Sequence, residues 1–330
     1  YKVDSKEIRP YFPFEQTLQG LLDITSAIYD IQYVAVTDAK PWHEDVKVYD
    51  VMRGADKLGR VYLDMHPREN KYKHAAQFTL KDGVLGVQLP EGVLVCNFAA
   101  GKELMEHDDV VTMFHEFGHL MHHVLGGQQK WIRQSGVATE QDFVEAPSQM
   151  FEEWSRRPET LALFSKVCPS CKPIDPKLIE RMNASRAFGK GIQYARQRLY
   201  SAWDMALHTP TLVDPMQTWI ELEGKTPLGH VPGTLVPAAF GHVMGGYQAG
   251  YYGYMWSEVL ALDMRSAFGA NAMDTKVGSR YRKLILESGG QRAPAELVEA
   301  FLQRKPSADA FFREITGQSN APRTTAQARP

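Results

Sequence analysis

His115 and His119 stand four residues apart, and Glu116 lies between them in the run His115-Glu116-Phe117-Gly118-His119. On a helix, residues four apart sit one above the other on one face, so both imidazoles can reach a single metal ion. Glu116 is then placed to accept a proton from water that the metal activates. The pattern His-Glu-x-x-His is that of zinc hydrolases, but five residues recur by chance and the surroundings must support it. They do. Asp108-Asp109 upstream reads as an N-cap with acidic residues suited to the positive end of a helix dipole. Val110, Met113, Phe114, Phe117, Met121 and Val124 recur at helical spacing, and Gly126-Gly127 ends the pattern. A pair of surface histidines on an amphipathic helix would explain neither the cap nor the intervening glutamate.

Catalytic zinc usually takes three protein ligands and keeps one position open. No His-x-x-Gly-x-x-His continuation follows His119, which excludes the metzincin arrangement. The third ligand is sought in the next segment, Thr139 to Met150, where Thr139 and Asp142 resemble a capping box. Glu145 is preferred because Phe143, Val144 and Ala146 surround it, and a carboxylate among apolar neighbours needs a cation. Glu152 and Glu153 compete, and a plain salt-bridged Glu145 fits the chemistry as well. Pro147 marks either a kink or a first helical turn.

Longer motifs extend the pattern. Phe114 to His122, followed by Asp142-Phe143-Val144-Glu145-Ala146-Pro147-Ser148-Gln149, resembles the thimet oligopeptidase/neurolysin family of zinc metallopeptidases. Tyr62-Leu63-Asp64, Pro67 to Tyr72 and His74-Ala75-Ala76 are similar to the family's segment ahead of the metal helix. Phe240-Gly241-His242, Gly245-Gly246-Tyr247 and Tyr251 to Glu258 resemble its substrate loop and the helix after it. The resemblance implies a mainly α, α+β zincin-like catalytic domain. It also implies one zinc ion per chain on His115, His119 and Glu145, with Glu116 as general base. His242, Tyr247 and Tyr254 match residues that contact the peptide and stabilise the tetrahedral intermediate. The implied activity is endopeptidase cleavage of short peptides. The alternatives are a catalytic half that binds zinc and peptide with little turnover, or a peptidyl-dipeptidase of the same superfamily.

On the residues alone, the glycines of segment 241–253 permit unusual backbone angles and movement over a ligand, and its tyrosines can donate to an oxyanion. For Tyr251 and Tyr252 an aromatic packing role competes. The chain departs from the family in length, matching the C-terminal half of proteins about twice as long. Tyr1 in place of Met fits a trimmed chain. A missing N-terminal half would form the other channel wall, and its absence would expose a face that a homodimer could cover. Gln141 departs from a charged residue in many relatives.

The 330 residues, 44% of them apolar, suffice for a large core. A formal net charge of -2 without a basic stripe argues against nucleic acid, and no apolar run reaches a membrane span. Cys168-Pro169-Ser170-Cys171 has neither a second pair nor a βαβ context and reads as ordinary loop thiols; Cys96 reads as a buried thiol. An odd set of three cysteines fits a reducing, cytoplasmic setting. His122, seven residues from His115, returns near the metal face as a packing or substrate-side residue, whereas His123 falls off it and is expected at the surface. His66 and His74 read as structural. Glu152, Glu153 and Asp109 are candidates to orient the metal-bound imidazoles.

One catalytic domain is expected over residues 1–317, with a disordered tail at 318–330. A helix spans about 13–31. Alternating runs at 46–51, 60–65 and 93–98 form a small sheet within 46–98, with Gly54, Gly59, Asp82-Gly83 and Pro90-Glu91-Gly92 as turns. Helices follow, including about 176–207, 212–223, 250–268 and 294–303.

Overall fold

Local signals start the chain. In the computed structural model, which describes residues 3–100, 103–166 and 173–317, Asp4 caps the single turn α1 (Ser5–Ile8). The apolar repeat then closes α2 (Phe14–Tyr29), which buries Leu18, Leu21, Ile24 and Ile28 and stops where Asp30 turns left-handed at φ 54°. Five strands follow: β1 (Gln32–Ala35), β2 (Lys47–Arg53), β3 (Asp56–Asp64), β4 (Ala76–Lys81) and β5 (Glu91–Val95). They form one sheet in the order β1-β2-β3-β5-β4, antiparallel except for the β3/β5 pair.

The sheet corrects several expectations. Gly54 makes the β2–β3 turn at φ 59°, but Gly59 lies inside β3 and Glu91-Gly92 open β5. These glycines serve close approach instead of turning. A Cβ at Gly59 would stand 2.7 Å from the Pro90 carbonyl oxygen, and one at Gly92 2.8 Å from Leu120 Cδ1. Strands β1 and β4 were not anticipated; both are edges with mostly exposed residues, so little burial marks them in sequence.

Over the sheet lies α3 (His107–Leu125), its Phe114, Phe117, Leu120 and Met121 buried in the main core. Each such side chain contributes about 1.5–3 kcal/mol through burial, which makes α3 a fixed base. Its cap differs from the expected Asp108-Asp109. Glu106 is the N-cap, its carboxylate accepting from the Asp109 N–H while the Asp109 carboxylate accepts from the Glu106 N–H at 3.1 Å. Gly126 ends the helix as expected. His123 is fully buried, not exposed, because the sheet covers that side of α3; its Nε2 lies 3.0 Å from the Lys81 carbonyl and 3.2 Å from that of Glu91.

The remainder is helical: α4 (Ala146–Glu152), α5 (Pro158–Lys166), α6 (Pro176–Ser185), α7 (Lys190–Leu207), α8 (Pro215–Gly224), α9 (Val236–Ala239), α10 (Gly253–Arg265), α11 (Thr275–Tyr281), α12 (Pro294–Leu302) and α13 (Asp309–Ile315). Gly189 at φ 75° divides the expected helix 176–207 into α6 and α7. Thr139 and Asp142 form no capping box: α4 begins after Glu145, with Pro147 in its first turn, where a missing N–H costs nothing. A second, smaller core joins Leu199, Trp203, Trp219 and Val243. Cys96 is buried. Cys168, Cys171 and the tail 318–330 lie outside the described residues. Among those residues no helix is long and apolar enough to cross a membrane.

Candidate metal centre

Two helices that touch at a glycine build the centre. Gly118, between the histidine pair's turns, meets the start of α4 so closely that a Cβ there would lie 2.7 Å from Ser148 Cα. This approach carries Glu145, the residue before α4, against the histidine face of α3. His115 Nε2 lies 3.2 Å and His119 Nε2 3.1 Å from Glu145 Oε2. One donor atom from each of the three residues lies within 4.8 Å of the others. Glu145 is only 2% exposed.

Electrostatics show which charge the cluster favours. Burial alone would raise the Glu145 carboxyl, yet the facing His119 and His115 rings hold it well below the usual carboxylate range. Burial would likewise lower His115, but Glu145 and Glu152 outweigh it and raise His115 well above its ordinary value. The pocket therefore stabilises positive charge between two imidazoles and a carboxylate. Nitrogen-to-oxygen separations of 3.1–3.2 Å are close to the roughly 3.3 Å edge of a tetrahedron with metal–ligand bonds of about 2.0–2.2 Å. The donor set fits a zinc-sized cation.

The surroundings fix these donors. Glu152, seven residues after Glu145 at the far end of α4, places Oε1 2.8 Å from His115 Nδ1 and so directs Nε2 toward Glu145. Of the three orienting candidates only Glu152 takes this place. Asp109 caps α3, and Glu153 lies against Arg156, Arg186 and Arg265. Ser148 Oγ donates to Glu145 Oε2 at 3.2 Å, and the Tyr247 hydroxyl donates to Glu145 Oε1.

Glu116, next to His115, points at the sheet edge: its Oε2 accepts from the Gln77 N–H of β4 at 3.0 Å. Across the centre, the Tyr247 and Tyr254 rings stack at 5.0 Å, and His242 stands 5.8 Å from each. Burial, then the Glu145 charge, pushes both phenols up, so they remain donors at neutral pH. Tyr251 packs among Tyr200, Phe240, His242 and Tyr254, while the Tyr252 hydroxyl donates to Asp142 at 2.7 Å; both belong to the loop's packing. His122 is fully buried, with neither ring nitrogen hydrogen-bonded among the described residues, and burial lowers it to about 3. His66 meets the Phe98 carbonyl at 3.1 Å, and His74 lies beside the Tyr72 ring.

The structure brings His115, His119 and Glu145 together, sets Tyr247 on Glu145 with Tyr254 and His242 packed against Tyr247, and turns Glu116 toward Gln77 of β4. Sequence reasoning missed Gln77 and the bond from Ser148. The alternation in Ala76-Gln77-Phe78-Thr79-Leu80-Lys81 could have revealed β4; nothing in the sequence signals the Ser148 contact.

Residues 1–317 match the description "Peptidase family M3". A thimet-like oligopeptidase of Dictyostelium discoideum is 34% identical over 338 residues, covering 96% of this chain and 49% of that protein. Saccharolysin of Saccharomyces cerevisiae is 34% identical over 339 residues (96% and 48%), and oligopeptidase A of Escherichia coli 34% over 334 (94% and 48%). The chain spans about half the length of these curated relatives. Among solved structures, a Pyrococcus furiosus carboxypeptidase shares the fold at TM-score 0.57 and 13% identity, over 93% of this chain and 59% of that one. PZ peptidase A with an inhibitor does so at TM-score 0.54 and 16% identity, over 78% and 42%. With residues 1–317 matched and relatives at this identity, the chain belongs to peptidase family M3.

Proposed function

We propose that this chain is the catalytic part of a zinc-dependent endopeptidase acting on internal bonds of short peptides. The observation that carries this reading is the convergence of His115 Nε2, His119 Nε2 and Glu145 Oε2, with Glu116 on the same helix turned toward an open strand edge. His115, His119 and Glu145 would hold the metal. When bound, zinc supplies the Lewis acidity that makes water nucleophilic at neutral pH and polarises a peptide carbonyl. Glu116 takes the proton of the attacking water and returns it to the leaving amine. Tyr254, with Tyr247 and His242, donates hydrogen bonds to the oxygen that gains charge. Strand β4 is one of the sheet's two outer strands, and Gln77 directs its N–H to Glu116, away from β5. A peptide extended along that edge would have backbone partners beside Glu116.

Cleavage of a quenched fluorescent peptide tests this, with and without a chelator and with Glu116→Gln. We expect chelator-sensitive cleavage by the wild type. We also expect a loss of at least about 100-fold in kcat for Glu116→Gln, the scale of general-base catalysis, with zinc retained. A wild type that holds one zinc and cuts nothing would instead favour a catalytic half that needs a covering partner. Full cleavage by Glu116→Gln would remove the general-base role.

A further inference from the structure

Segment 241–253 brings Tyr247 and Tyr254 to the centre with little regular structure of its own. After the turn Gly241–Met244 it passes through Gly246 at φ 114° and Ala249 at φ 54° before α10 begins. Ala249 occupies the left-handed region, which strains any residue that carries a Cβ and persists only where surrounding contacts impose it. Two contacts hold it there: the Gly250 N–H donates to the Tyr247 carbonyl at 2.9 Å across the turn, and Asp204 of α7 anchors the turn from outside. Its fully buried carboxylate accepts the Ala249 N–H at Oδ1 (3.0 Å) and the Tyr251 N–H at Oδ2 (2.9 Å). His208, the residue that follows α7 at its C-cap, sets Nδ1 3.0 Å from Asp204 Oδ1 and 2.8 Å from the Asp204 carbonyl. At the other end of the segment, Leu199 and Trp203 of the same helix pack with Val243 and Phe240. Helix α7 therefore grips the segment twice, by apolar contact near 240–243 and by a buried carboxylate at 249–251. Tyr247 lies between the two grips, and Tyr254 follows the second by three residues.

We propose that Asp204, supported by His208, is a positioning residue that holds the Tyr247–Tyr254 pair over the metal centre. It acts through the loop backbone and, among the described residues, makes no hydrogen bond or ion pair to His115, His119, Glu145 or Glu116. The proposal rests on the peptidase reading above for its effect on catalysis, but the loop anchoring is measurable without activity. Both carboxylate oxygens are needed as acceptors. An amide would present NH2 to one of the two backbone N–H groups and leave that donor buried and unpaired.

The test is Asp204→Asn in the full chain with zinc bound, read by amide hydrogen exchange and by peptide-cleavage kinetics. Exchange across residues 245–253 should rise about tenfold or more, while exchange in α3 and zinc affinity stay within about twofold. The kcat should fall about 10- to 100-fold, the scale of one lost charge-assisted hydrogen bond, with KM changed less than about threefold. Adding Ala249→Gly should recover at least about threefold of the lost kcat, because glycine takes the left-handed conformation without the anchor. If Asp204→Asn does not fold, His208→Leu reads the same local exchange, with an expected rise of about threefold. Unchanged exchange at 245–253 overturns the proposal. So does a loss of protection spread equally over α3 and α10, which marks a merely structural role. If no form of the chain cleaves peptide, the peptidase reading fails and the exchange pattern alone decides the role of Asp204.

Discussion

Replacing Gly118 with alanine sets two effects of opposite sign against each other. Alanine is favoured over glycine in a helix interior by about 1 kcal/mol, so local propensity predicts a more stable α3. The ideal Cβ, however, would lie 2.7 Å from Ser148 Cα and 3.2 Å from the Pro147 carbonyl oxygen, both backbone atoms that cannot rotate aside. Ordinary contact begins at 3.4 Å, so α3 and α4 must separate by about 0.7 Å at this point. Overpacking of that kind costs about 1–3 kcal/mol, which cancels or exceeds the propensity gain. The metal centre is the more sensitive reporter. Glu145 directly precedes α4, and metal sites tolerate ligand displacements of only about 0.2 Å. Gly118→Ala should therefore weaken zinc binding by at least about 10- to 100-fold, the scale seen when a centre's supporting contacts are removed. Its metal-free melting temperature should change little or fall. Chelator competition for zinc and thermal unfolding of the metal-free protein measure the two effects separately. Unchanged zinc affinity together with a raised melting temperature would refute the claim that this helix contact sets Glu145.

Two further outcomes follow from the same geometry. Glu152→Gln keeps the shape at His115 Nδ1 but removes the charge 2.8 Å away, and zinc affinity should drop about 10- to 100-fold in chelator competition; a drop below twofold would mean that His115 needs no such partner. The buried His122 controls part of the acid stability. Burial lowers it to about 3, whereas an unfolded histidine titrates near 6.5. Above about pH 6.5 both states are neutral and nothing is gained or lost. As pH falls from about 6.5 toward about 3, the unfolded chain takes up the proton first, and stability drops by up to about 1.4 kcal/mol per pH unit. His122→Leu should therefore flatten the acid limb of denaturant-measured stability in metal-free protein. A steeper acid limb in that variant would contradict the assignment.

The sequence alone carried the local half of the centre. A helix of 3.6 residues per turn puts His115 and His119 on one face whatever the rest of the chain does. The apolar repeat from Val110 to Val124 is similarly local, and it matched the buried face of α3. Where a reading depended on one element at a time, it failed at contacts made by two. His123 was expected at the surface because one amphipathic helix offers one buried side, but α3 is covered on a second side by the sheet. Gly59 and Gly92 resembled turn signals, since a missing side chain looks the same whether it permits a turn or a close crossing.

The third ligand shows the same division most clearly. On the residues alone, Glu145 is preferred for its apolar neighbours over the competing Glu152 and Glu153, and the longer resemblance points to the same residue. In the fold they separate by where α4 puts them. Glu145 faces the Nε2 atoms, Glu152 takes His115 Nδ1, and Glu153 joins the arginines. Asp204 gave no sequence signal at all, because its partners are backbone N–H groups 45 and 47 residues away. Residue types and helical spacing determined which groups could do the chemistry. Only tertiary packing decided which of them meet, because that depends on how closely two backbones approach, as at Gly118 and Ser148, and not on any periodicity within one segment.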